Sequence, residues 1–307
     1  MNQYPIFAMA MNRLSDVKLA CAVSSAGGIP SLSGYNYYTG PDTWDASWFR
    51  KDIETYKTIT GKTDLLLSLG ISELLDESIQ QLIVDYNIKL IELIPDSPTE
   101  LKTKDPSLTT TDIDNRNNNV RNILNQFRQT GTKVFVKVLA VKEVNDHNLK
   151  FDGVILKGPA GAGRFSHHTS SLEELFENFK TTYPDQLIVV SGGISTSKQV
   201  KYYIDNGAYA IGIGTLLAVS KESKMSTATK QTVVNGSSEK IKPLKAGAAQ
   251  NALSFADTTD DSYNNTRGLA AGLADPTKGH IFVGKAIDNI TEVRSVTDII
   301  QDLVKDL

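Results

Sequence analysis

Across 307 residues the chain has one cysteine, Cys21, and four histidines. A single thiol excludes an internal disulfide and any site that needs several cysteine ligands, such as an iron–sulfur cluster. The histidines, at positions 147, 167, 168 and 280, show no ligand spacing beyond one adjacent pair, so no metal is expected. Excess charge of either sign is also missing. The 32 Lys and Arg against 35 Asp and Glu leave a net charge of −3, with no basic cluster. That balance excludes the electrostatic footprint of a nucleic-acid binder. No apolar run approaches the roughly 18 residues that a bilayer span requires. The opening "MNQYPIFAMAMNRL" has no basic segment before its short apolar run, so no secretory signal is expected. These absences lead to the expectation of a cytoplasmic protein with no nucleic-acid or membrane partner. A homodimer stays open.

What the chain does have is alternation. Near-continuous apolar runs appear at "PIFAMA", "GIPSL", "TDLLLSL", "KLIELIP", "KVFVKVL", "FDGVILKG", "LIVVSGG" and "YAIGIGT". Such runs suit parallel strands covered on both faces. Amphipathic helical patterns lie between them. "LSDVKLACAVSSAGG" closes on a glycine pair, and "TSKQVKYYIDNGA" opens on a Thr or Ser cap and ends at Asn206-Gly207. Strands each followed by helix-sized sequence predict an α/β fold, a (β/α)8 TIM barrel. A doubly wound sheet shares the same unit and is the alternative. Residues 1–215 and 291–307 would build the barrel. The stretch 216–290 shows no clear strand and reads as a partly helical insertion after the eighth strand, shaping the active-site face.

Three glycine clusters end predicted strands. Ser191-Gly192-Gly193 follows "LIVV", Gly214-Thr215 follows "YAIGI", and "GPAGAG", with Gly161 and Gly163, follows "FDGVILK". In a barrel, strand C-termini open onto the active-site face, and the last two strands commonly hold phosphate on backbone N–H groups. One such cluster reads equally well as a tight turn. Two on consecutive strands point to an anion site.

These segments resemble the nitronate monooxygenases (2-nitropropane dioxygenase-like proteins) and the related flavin-dependent enoyl-ACP reductases. "PIFAMAMNRLSDVKLACAVSSAGGIPSLSG" is similar to their opening, "VFVKVLAVKEVNDHNLKFDGVILKGPAGAG" to their fifth and sixth strands, and "LIVVSGGISTSKQVKYYIDNGAYAIGIGTLLAVSKES" to their phosphate-binding pair. "HIFVGKAIDN" resembles a late segment that returns to the site. The resemblance implies FMN, with its phosphate on Gly193, Gly214 and Thr215 beside Gly192, and with Ala8 and Met9 next to the ring. Ser68 stands where the family usually has Asn. Lys157 stands where it has Gln or Glu, and would bond a ribityl hydroxyl or flavin carbonyl, neutralise a phosphate, or simply point out of the loop.

The chain departs from the pattern at one catalytic position. The family usually reads Glu-Ala-Gly-Gly-His after the sixth strand, with the histidine over the flavin; here Arg164 takes the histidine's place and Ala160 the acidic one. Arginine keeps its proton and cannot act as a base, although it can hold an anion. His167 and His168 follow closely, either reaching back as catalytic groups or lying in the loop as surface residues. The implied activity is FMN-dependent oxidation of a small nitronate or carbanion-like substrate, with oxygen or an enoyl compound as acceptor. An NAD(P)H-dependent reductase of the enoyl type, or a barrel that binds FMN or phosphate without redox activity, are the alternatives. An IMP dehydrogenase-like barrel is discarded, because it needs a cysteine after the sixth strand.

Overall fold

The computed structural model describes residues 4–33, 46–95, 101–102, 105–144, 150–164, 170–245, 251–255 and 271–307. Eight parallel strands form one sheet: β1 Ile6–Ala8, β2 Ser31–Ser33, β3 Leu66–Gly70, β4 Leu90–Ile94, β5 Lys133–Val138, β6 Gly153–Lys157, β8 Leu187–Ser191 and β9 Ala210–Ile213. Their order is β1-β9-β8-β6-β5-β4-β3-β2. Just before β2 the two edges meet. Phe7 bridges Ile29 in parallel, the Ala8 N–H donates to the Ile29 carbonyl at 2.9 Å, and the Ile29 N–H donates to the Ile6 carbonyl at 2.7 Å. The sheet is therefore a nearly closed (β/α)8 barrel, its two end strands joined by this bridge.

Two-residue alternation sorts each strand into two faces. Outward residues such as Leu67, Ile91, Val136, Leu156 and Val190 are buried in the shell between sheet and helices. Inward residues Phe7, Leu66, Phe135, Ile155, Val189 and Ala210 fill the barrel centre. Phe7 and Phe135 meet edge to face, with ring centroids 6.1 Å apart. Fully burying a side chain of this size stabilises the fold by about 1.5–3 kcal/mol. One step further along the same strands the inward positions turn polar: Ser68, Glu92, Lys137, Lys157 and Ser191. That change marks the mouth.

The outer helices follow their local chemistry. Asp16 accepts from the Leu19 N–H and starts the helix Val17–Ser25, which buries Leu19, Ala20 and Val23. Thr196 and Gln199 cap the helix Ser197–Asp205 reciprocally. Ser295 caps the helix Val296–Val304, whose buried stripe is Val296, Ile299, Ile300 and Leu303. No helix among the described residues is long and apolar enough to cross a membrane.

Between the eighth barrel strand and the last helix, the stretch expected to lack strands contains two. β10 Ile241–Lys245 and β11 Asn251–Phe255 form an antiparallel hairpin. β11 also pairs with β7, the two residues Gly163–Arg164, through Ala252↔Arg164 and Leu253↔Gly163. "IKPLK" and "NALSF" carry single apolar residues rather than continuous runs, and a proline interrupts the first. The proline is tolerated because β10 is an edge strand. Helix Thr227–Val234 and the hairpin end on a second core, where Phe255, Ile281, Val283 and Ile287 pack with Val233 and Met225.

Candidate active site

A small cleft of about 90 Å³, partly open to solvent, lies at the mouth where β6, β8 and β9 end. Three of its walls are the glycine loops. Gly192 and Gly193 have φ of +93° and +103°, a conformation L side chains rarely adopt. A Cβ on Gly193 would stand 2.6 Å from the Cβ of Ala160, and one on Gly192 would stand 2.7 Å from the Gly158 nitrogen. The bare backbone is what lets the β6 and β8 loops touch. On the β9 side, Gly214 starts the short helix Thr215–Ala218 without a side-chain cap.

One late segment laces these loops together. The Gly284 N–H donates to the Thr215 Oγ at 2.9 Å, and the Lys285 N–H donates to the Ala160 carbonyl at 2.9 Å. Asn289 Nδ2 donates to Ser195 Oγ at 2.8 Å. Phe282, from the same segment, lines the cleft. The Thr215 hydroxyl is thus an acceptor for the lacing strand. At the start of the helix Ser197–Asp205, the Ser195 and Thr196 N–H groups donate to the Gln199 side chain.

The residues singled out from the sequence divide as follows. Met9, Lys157, Gly161, Gly192, Gly193, Gly214 and Thr215 meet in the cleft. Lys157 Nζ donates to the Ala162 carbonyl inside the β6 loop, and Gly163 stands beside it on β7. Ala8 does not reach the cleft: it faces outward into the helical shell, one residue out of phase with Met9. Ser68 does not reach it either. It is wholly buried, its Oγ has no hydrogen-bond partner, and it sits beside Glu92 in the β3–β4 register. Arg164 lies in β7, paired with Ala252. His167 and His168 lie outside the described residues. Cys21 is half-buried in the helix Val17–Ser25, and burial followed by the Asp16 charge pushes its thiol pKa up, which suits an inert thiol.

Two charged residues at the mouth were missed. Glu92 on β4 is fully buried, and its carboxylate pairs with the ammonium of Lys137 on β5, which lines the cleft. Inside-outside counting along "KVFVKV" was the available signal, because it puts Lys137 in phase with the inward Phe135.

A nearly closed (β/α)8 barrel with glycine loops around a cleft at its strand C-termini has that cleft where barrel enzymes of this fold carry their sites. Residues 1–246 match the family model for nitronate monooxygenase. The chain belongs to the nitronate monooxygenase family, a family of oxidoreductases. The solved structure of FabK from Thermotoga maritima is similar over 99% of this chain and 92% of its own, at 19% identity and a TM-score of 0.74. Nitroalkane oxidase from Streptomyces ansochromogenes is similar over 99% and 96%, at 17% identity and a TM-score of 0.74. The enoyl reductase domain of MlnA from Bacillus amyloliquefaciens is similar over 99% and 94%, at 12% identity and a TM-score of 0.66. At these identities the likeness is one of fold. No curated protein matches the chain.

Proposed function

We propose that this protein holds FMN in the cleft and oxidises a small nitronate or carbanion-like substrate. The observation that carries the reading is the positive-φ Gly192-Gly193 turn, packed too closely on the β6 loop to admit a Cβ, lining one cleft with Gly214 and Thr215. Backbone N–H groups brought this close suit a phosphate, at about 1.5–3 kcal/mol per charge-assisted bond. Met9 and Phe282 offer apolar surface to a flat ring, and Lys157 offers a cation near the glycine loops. When bound, the flavin would supply a two-electron acceptor; binding, orientation and charge come from the chain.

The reading extends to the form of the substrate. Arg164 occupies the place of the family's histidine by the order of the turn residues, and it cannot remove a proton. The enzyme should therefore act on the anion. A positioned base contributes about 10²–10⁴ in rate, so preformed nitronates should outpace neutral nitroalkanes by a comparable factor. Arg164→Ala should raise KM for the anion, and His167→Ala and His168→Ala should change little. Steady-state rates on both substrate forms test this. Equal turnover of the two forms, lost on changing either histidine, would mean that a histidine is the base.

A further inference from the structure

Apart from the glycine loops, the cleft wall includes Lys137, whose ion-pair partner Glu92 lies behind it and differs sharply from it in burial. The Glu92 side chain is 0% exposed and the Lys137 side chain 18%. Glu92 is closed in by its inward neighbours on the sheet, with Ser68 on one side and Phe135 on the other by register. A carboxylate without water needs a counter-charge, and the ammonium of Lys137 supplies it. Lys137 also lines the cleft, where its charge acts on whatever binds. On the neighbouring strand β6, two residues beyond the register partner of Lys137, Lys157 also lines the cleft.

We propose that Glu92 is a positioning residue for Lys137. It fixes the ammonium at the wall of the cleft and offsets part of the positive charge that a bound ligand feels. The consequence for redox chemistry rests on the flavin reading above. Reduction adds two electrons and, near neutral pH, one proton, so the bound cofactor becomes more negative by one charge. A cation at the wall favours that state, and a counter-ion behind the cation weakens the preference. Glu92 therefore lowers the potential that Lys137 would otherwise impose.

The test uses apo-protein reconstituted with FMN, comparing the parent with Glu92→Gln and with Glu92→Gln/Lys137→Gln. Fluorescence titration gives the affinity for oxidised FMN, and equilibration against a redox dye gives the midpoint potential. Glu92→Gln keeps shape and removes charge. It should favour the reduced form at least tenfold over the oxidised, about 30 mV upward for a two-electron couple. The double variant, again neutral in sum, should return toward the parent. If Glu92→Gln fails to fold, Lys137→Gln reads the same coupling from the other partner, as a downward shift. A potential unmoved by these changes while FMN stays bound would overturn the proposal and leave the flavin reading intact. A parent that shows no FMN titration curve would overturn both.

Discussion

Gly193 has no room for a side chain and a backbone twist that disfavours one. Gly193→Val would drive the β8 loop away from Ala160 and distort the glycine wall of the cleft, while the β8 core residues Val189 and Val190 stay in place. The expected result is FMN affinity reduced by at least about tenfold, the loss of one bond worth about 1.4 kcal/mol, with the far-ultraviolet dichroism unchanged. Thr215→Ala acts through a different route. It removes the acceptor of the Gly284 N–H, so it should cost about 1 kcal/mol of stability in a urea titration and weaken FMN binding less. The glycines were readable because a turn of this type demands them in the sequence itself. Glu92 and Lys137 were harder to find, since an isolated charge in an apolar run gains meaning only when strand phase puts it inside.

At the scale of elements, the β10–β11 hairpin is one of two ties between the insertion and the β6 loop, beside the Lys285 contact to Ala160. Its ladder ends on Gly163 and Arg164, so the residue proposed to face the substrate is carried by the edge of a three-stranded sheet. Leu253→Pro would remove a donor and clash in the middle strand, where both sides are paired. Hydrogen exchange at Gly163 and Arg164 should then speed up by an order of magnitude or more, while the β8 and β9 amides keep their protection. Unchanged exchange at these two residues would show that the loop is held from elsewhere, for example by the Lys285 contact to Ala160. The barrel strands could be read from sequence because parallel strands buried on both faces leave unbroken apolar runs. The hairpin could not. Its short segments with one proline look like loop until their pairing partners are known.

For the whole molecule, the segments that bring the barrel edges together also contribute to the cleft. The β1 edge reaches β2 through Phe7 and Ile29 and carries Met9 into the mouth, while the last insertion segment returns to join the β6, β8 and β9 loops. Ala8 shows what phase means at this scale: one residue from Met9, it belongs to the outer shell and has no part in the cleft. The central claim is that this assembled cleft is an FMN site. The most direct measurement is the absorbance spectrum of the purified chain before and after adding FMN, with the chromophore released by denaturation and identified. The account predicts a yellow protein, or one that becomes yellow by taking up FMN at low micromolar concentration, and the released chromophore should be FMN. A colourless protein that takes up no FMN at high micromolar concentration would contradict it.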